Sequence, residues 1–212
     1  QDPEAWWRSL CEVTPGLLGR AGVKPAEVAC VVFSGQMLGC VAVDARVRPL
    51  RPAIIWADLR AVRQAARLEE AVGEARGYRL TGHRFSPAYS APKIMWLRDM
   101  EPDVYQAAYK FLQAKDFLAA RLTGSFVTEA SDASSTLLLD LGRRTWAAEL
   151  LAASGIDPDK LPRLIPSTGI AGEVSAAAAA QAGLAPGTPV VIGGGDGCCA
   201  AAGAGVVAPG RA

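Results

Sequence analysis

Pro189-Val190-Val191-Ile192-Gly193-Gly194-Gly195-Asp196-Gly197 is the stretch that decides how this chain is read. A short β-branched run stops at three glycines, and a single carboxylate follows them. Continuous β-branched residues suit a strand covered on both faces of its sheet. The glycines strip the strand end of side chains, so backbone and ligand can approach closely. Asp196 is then carried at the carboxyl end of a strand, where open α/β sheets place their ligand crevice. The small residues 200–203 predict a tightly packed helix behind it. A carboxylate in that position can take a proton, bind a metal or hold a sugar hydroxyl. Two further readings stay open on this segment alone. Asp beside Gly also makes an ordinary turn. Gly195-Asp196-Gly197-Cys198-Cys199-Ala200 also fits the G-x-G-x-x-A form of a dinucleotide fingerprint, as in a nucleotide-binding oxidoreductase. That fingerprint asks for an acidic residue about 20 positions on, and none follows Asp196. It also normally lies in the first βα unit of its domain.

Working outward, strands alternate with helices, which predicts an α/β fold. Asp2 and Pro3 start a helix with Trp6, Leu10, Val13 and Leu17 on its apolar face, and Pro15 is expected to end or kink it. Strands are predicted over 28–33, 40–44, 53–56 and 110–112. Asp58 is expected to cap a helix running to about Val72. Further helices are predicted from Pro92, over 101–108, 116–122 and 146–153, and from the cap Ser175 to Gly183. Residues 78–90 read as a loop and 131–136 as a capped turn.

Composition narrows the function classes. The 22 basic and 21 acidic residues leave a formal net charge of +1, with no basic block, which argues against nucleic acid or an anionic membrane as partner. No apolar run is long enough to span a bilayer, and no secretory signal is visible. The cysteines Cys11, Cys30, Cys40, Cys198 and Cys199 are odd in number and form no C-x-x-C pair. They read as reduced, buried, cytoplasmic thiols. His83 is the only histidine, which disfavours a Ser-His-Asp hydrolase and a structural zinc site.

An ordered set of segments resembles the N-terminal domain of the FGGY carbohydrate kinases, the xylulokinase branch in particular. The segments are Gln1-Asp2-Pro3-Glu4 with Trp6-Trp7, Ser34-Gly35-Gln36-Met37 with Gly39, and Pro52-Ala53-Ile54-Ile55-Trp56 with Asp58 and Arg60. They continue with Ala91-Pro92-Lys93-Ile94, Lys115-Asp116-Phe117-Leu118, Ser131-Asp132-Ala133-Ser134 and Gly193-Gly194-Gly195-Asp196. The resemblance implies an actin-like, ribonuclease-H-like fold and transfer of the γ-phosphate of ATP, with Mg²⁺, to a sugar or polyol hydroxyl. It implies Asp196 as the general base. Gln36, Met37 and Leu38 match the loop that lines the sugar pocket, and Gly197 matches a sugar-contacting position. Trp56 and Asp58 border the sugar site in the family, although a core Trp and a capping Asp are equally in keeping with the sequence. Gly194 and Gly195 are the candidate cofactor-binding residues. Lys93 and Lys115 read as solvated or paired rather than catalytic, and Ser131 and Asp132 as the capped turn.

Two departures bear on the sugar. Leu38 stands where xylulokinases usually carry His, and Gly197 where they usually carry Asn. A site built to bond a hydroxyl discriminates strongly through it, so D-xylulose is not expected to be the best substrate. The family's opening Asp-x-Gly-Thr hairpin and its C-terminal ATP domain are expected to lie outside residues 1–212. These residues then form a partial N-terminal domain, inactive by itself, with strand 28–33 left as an exposed edge. A small sugar is the expected partner, with homodimerisation left open. A non-catalytic actin-like binding domain is the other alternative.

Overall fold

The computed structural model describes residues 1–211; the expected domain end at Ala212 falls one residue outside them. Helix α1 (Pro3–Ala21) starts as its sequence dictates, with Asp2 accepting the N–H of Glu4 and Pro3 in the first turn. Pro15 lies inside α1 and does not end it. Tertiary anchoring outweighs the lost backbone hydrogen bond: Trp7 is buried and its Nε1–H donates to Gln181 at 3.0 Å.

Strands β1 (Val31–Gly35) and β2 (Val41–Val43) follow, then helices α2 (Val62–Val72), α3 (Glu74–Thr81), α4 (Ser90–Met100) and α5 (Pro102–Ala107). The chain continues through β3 (Lys110–Leu112), α6 (Ala114–Thr123), β4 (Val127–Thr128), α7 (Ala130–Ser134), β5 (Leu139–Asp140), β6 (Thr145–Trp146) and α8 (Ala148–Ser154). Strands β7 (Arg163–Leu164) and β8 (Ile170–Glu173), helix α9 (Ala176–Ala182), strand β9 (Pro189–Gly195) and helix α10 (Asp196–Gly203) complete it.

The site-bearing sheet has the order β1-β9-β8, with β9 parallel to β1 and antiparallel to β8. The edge of β1 away from β9 carries no strand among the described residues, and Val32 there is 60% exposed. The opening stretch behaves differently from its reading in one respect: β9 continues through all three glycines, and α10 starts at Asp196 without a loop. The pairing shifts register between Val32 and Ser34. Opposite that shift Gly193 adopts φ +73°, and a Cβ there would lie 1.8 Å from the Phe33 carbonyl oxygen, so only glycine fits.

Two cores flank the β2–β3 ribbon. Val41, Val43 and Leu112 face the core of α1, α6, α9 and β9, built on Trp7, Phe117, Leu122 and Ile192. Cys40, Ala42 and Phe111 face the other, built on Leu68, Ile94, Leu97 and Leu150. The two-residue period of a strand thus makes this ribbon the wall between them.

Other expectations are corrected. Residues 53–56 form no strand, only a single bridge from Ile54 to Cys40. Asp58 does not cap α2, whose first turn is preceded by Ala61; it binds Arg60 instead. The segment 78–90 is helical as far as Thr81, and 131–136 contains α7. Of the five thiols, which are all free, only Cys40 is buried, while Cys30 and Cys198 are exposed. No helix among the described residues is long and apolar enough to cross a membrane.

Candidate functional site

β1 and β9 are parallel and end together, Gly35 opposite Gly195. Asp196 follows directly and is exposed, its Oδ1 accepting the N–H of Gly197 at 2.8 Å. A Cβ on Gly195 would come within 2.5 Å of Met37 Cγ and Sδ. The strand end that presents Asp196 and the loop after β1 are therefore in direct contact, and glycine is what permits it. A Cβ on Gly194 would lie 3.2 Å from Cys199 Sγ. Gly195 donates its N–H to Ser131 Oγ at 2.8 Å, so that group already has a partner within the chain. Two cavities open at the end of β1 and share Phe33 and Ser34. One, of about 470 Å³, reaches Ser131, Ser167, Gly193 and Cys198. The other, of about 410 Å³, reaches Trp6, Gln36 and Lys115.

The loop side is held by polar bonds to its backbone. Leu38 has φ +64°, a conformation that costs a non-glycine residue about 1–3 kcal/mol and persists only where its surroundings enforce it. Its N–H donates to Ser135 Oγ at 3.2 Å, and its carbonyl accepts from Lys93 Nζ at 2.7 Å. The same ammonium donates to Ile55 O at 2.8 Å and Ala88 O at 2.5 Å. Gly39 is tied to Gln113 and Ser90. Gln36 donates to Gln1 Oε1 at 2.8 Å. Trp56 is 55% exposed rather than a core residue. Asp58 holds Arg60 through both its oxygens, and Arg60 lies 4.7 Å from the Trp96 ring centre. That hydrogen-bonded guanidinium keeps the Asp58 carboxyl below its usual range. Burial pushes Lys93 down to about 8. Lys93 joins the 36–38 loop to Ile55, the residue before Trp56, and no hydrogen bond or ion pair among the described residues links Trp56 or Asp58 to Asp196.

Beneath the strand end lies a cluster that sequence reasoning left as paired or capping residues. Lys115 Nζ sits 2.7 Å from Asp116 Oδ1, 3.0 Å from Asp132 Oδ2 and 3.5 Å from Glu129 Oε1, all four side chains being fully buried. Burial alone would lower Lys115, but Asp116 and Asp132 outweigh it and hold the ammonium charged. Burial raises Asp132 against the attraction of Lys115, and its Oδ1 has no hydrogen-bond partner. One ammonium among three carboxylates leaves two surplus negative charges, which a protonated Asp132 cuts to one. Burial would likewise raise Glu129, but the hydrogen bond from Ser131 and the charge of Lys115 keep it low. Glu129 caps α7 by accepting from Ser131 N and Asp132 N, and it accepts the hydroxyls of Ser131 and Ser167. A continuous path therefore runs from Lys115 through Glu129 and Ser131 to the N–H of Gly195, next to Asp196. Glu129 is the residue the sequence reading missed; its signal was a carboxylate placed to cap the Ser131-Asp132 turn.

Among the described residues no group of three His, Cys, Asp or Glu side chains is arranged to hold a metal. The three clustered carboxylates surround Lys115 instead, leaving Asp196 as the carboxylate presented at the strand end.

Residues 1–203 match the family described as FGGY family of carbohydrate kinases, N-terminal domain. The chain is 36% identical over 207 residues to the xylulose kinase of Escherichia coli (strain K12), covering 98% of this chain and 42% of that protein. It is 34% identical over 211 residues to the xylulose kinase of Bacillus subtilis (strain 168), covering 100% of this chain and 42% of that one. The crystal structure of xylulose kinase from Rhodospirillum rubrum matches with a TM-score of 0.91 and 30% identity, over 99% of this chain and 44% of that one. The chain thus spans about two fifths of the length of these relatives. The expected actin-like sugar-kinase fold is borne out, and the dinucleotide reading of residues 195–200 gives way to it.

Proposed function

We propose, from the premise that this chain belongs to the FGGY family of carbohydrate kinases as their N-terminal domain, that it supplies the acceptor side of an ATP-dependent sugar kinase of xylulokinase type. The observation that carries this reading is the exposed Asp196 at the end of β9, in contact through Gly195 with the Met37 loop. In this reading Asp196 accepts the proton of the attacking sugar hydroxyl. Gln36, Met37, Leu38 and Gly197 line the sugar, with Trp56 and Asp58 at its border. Gly194 and Gly195 stay the cofactor-binding candidates by resemblance alone, since Cys199 and Met37 stand where their side chains would be and Ser131 takes the Gly195 N–H. Bound ATP supplies the phosphoryl group, and Mg²⁺ neutralises charge on it. Mg²⁺ is commonly held by one or two carboxylates together with phosphates; Asp196 would serve as the base, and no residue of this chain is assigned to the metal.

The substrate is a ketose or polyol other than D-xylulose as first preference, because apolar Leu38 and bare Gly197 offer a hydroxyl no partner. A panel of sugars assayed with the whole protein tests this, and D-xylulose with the highest kcat/KM would overturn the preference. Asp196→Asn in the whole protein should lower kcat by about 10²–10⁴-fold, the range of a general base. Near-normal turnover would remove Asp196 from that role. Sugar binding without any phosphoryl transfer would favour the non-catalytic actin-like domain.

A further inference from the structure

We propose that Lys93 is a positioning residue for sugar binding, its charged ammonium stapling the 36–38 loop to the segment before Trp56 and so fixing the shape of the acceptor pocket. The proposal rests on the sugar-pocket reading of those two segments. Lys93 lies on α4 with its side chain fully buried, and among the described residues no carboxylate stands within ion-pair distance of it. Its partners are carbonyls of three separate segments, at Leu38, Ile55 and Ala88. An ammonium carries three hydrogens, so every donor is used and each goes to a different place. Leu38 is the residue whose left-handed backbone needs outside enforcement, and Lys93 grips it from the carbonyl side while Ser135 grips the N–H. A purely structural lysine has no reason to end on the one strained residue of the pocket loop.

The staple depends on charge. A neutral amine keeps two hydrogens and turns a lone pair toward the third carbonyl, so deprotonation releases one segment. Burial brings that event down to about 8. The titratable groups whose charge reaches Lys93 are Cys40, whose thiol burial pushes up to about 12, and Asp58, which Arg60 keeps ionised. Neither changes charge near neutrality, so Lys93 is the group that titrates there.

The test uses the whole protein as wild type, Lys93→Met and Lys93→Gln. Losing a charge-assisted hydrogen bond should raise the sugar KM of the Met variant about tenfold or more, with kcat and the ATP KM little changed. Gln, which keeps an N–H₂ donor, should recover part of that loss. The wild-type sugar KM should rise between about pH 7 and about pH 9, and the variants' should not. A flat wild-type profile, or an unchanged sugar KM in both variants, overturns the proposal. Hydrogen exchange of residues 36–40 and 54–58, read without sugar, separates this idea from the kinase reading. Faster exchange there in the variants, or in wild type above pH 8 after correction for the intrinsic rate, supports the staple even if no sugar is phosphorylated. Unchanged exchange overturns it, and the wild-type arm decides if the Met variant does not fold.

Discussion

The molecule buries two lysines beside its candidate site, and it treats them in opposite ways. Lys115 sits among the carboxylates of Asp116, Glu129 and Asp132, under the strand end that carries Asp196. Lys93 sits among the carbonyls of Leu38, Ile55 and Ala88, behind the loops. Burial penalises both ammoniums. Full negative charges overcome that penalty at Lys115, whose proton becomes harder to remove. Carbonyl dipoles do not overcome it at Lys93, whose proton leaves at about 8. Similar burial thus gives a permanently charged foundation on one side and a titratable fastening on the other. The difference lies in whether the partners carry net charge.

The largest effect should come from removing the permanent ammonium. Lys115→Met strands three buried carboxylates and should cost about 3–5 kcal/mol of unfolding free energy, the range for breaking a buried ion pair. Lys93→Met leaves carbonyls short of donors but strands no charge, and should cost about 1–3 kcal/mol. Denaturant unfolding of both variants measures the gap, and a larger loss at Lys93 would break the comparison.

A smaller effect sharpens how the foundation reaches the site. Ser131→Ala removes the acceptor for the Gly195 N–H and a donor to Glu129, at about 1–2 kcal/mol. It should lower kcat in the whole protein, because Asp196 is the next residue. Full turnover alongside a stability loss would show that the path from Lys115 ends in packing and does not position Asp196.

The smallest effect is a pH drift. Lys93 binds fewer protons folded than unfolded between about pH 8 and its ordinary value near 10.5. Stability from this group therefore rises with pH across that window. The stability difference between wild type and Lys93→Met should shift toward wild type, by about 1 kcal/mol or less from pH 7 to pH 8.5. The Lys115→Met difference carries a drift of its own, because Asp132, which burial raises to about 8, loses the Lys115 charge that holds it down. No drift at Lys93 would remove its titration from this window and break the contrast between the two lysines.

What the sequence disclosed follows the range of the forces involved. Helix α9 was legible to the residue, because Ser175 and Gly183 are local signals at its two ends. Strand β3 was equally clear. Asp58 was misread because its nearest partner, the Arg60 side chain, competes with the helix it was expected to cap. The helix end offered at Pro15 was not met, and the anchoring of α1 by Trp7 and Gln181 spans most of the chain. The strand end with Asp196 was visible in three glycines, yet the reason for two of them was not. Gly193 answers to the Phe33 carbonyl and Gly195 to the Met37 side chain, both far away in sequence. Glu129 escaped notice, and Lys93 and Lys115 stayed open between solvated and paired, for the same reason: a buried charge looks like a surface charge until its partners are placed around it.

The pairing of β1 with β9 has a consequence in time. Val31 and Val190 lie side by side in the sheet although they are 159 positions apart in a chain of 212 (190 − 31 = 159). Contacts that close so long a loop form late, after local helices and hairpins. On the ribosome, β1 emerges early and must wait for β9 before Gly35 and Gly195 can meet. The strand end that presents Asp196 is therefore assembled near the end of synthesis of this segment, and β1 awaits its partner longer than any other strand in the sheet. Conditions that slow elongation through residues 36–188 would lengthen that exposure and should raise the fraction of nascent chain lost to aggregation.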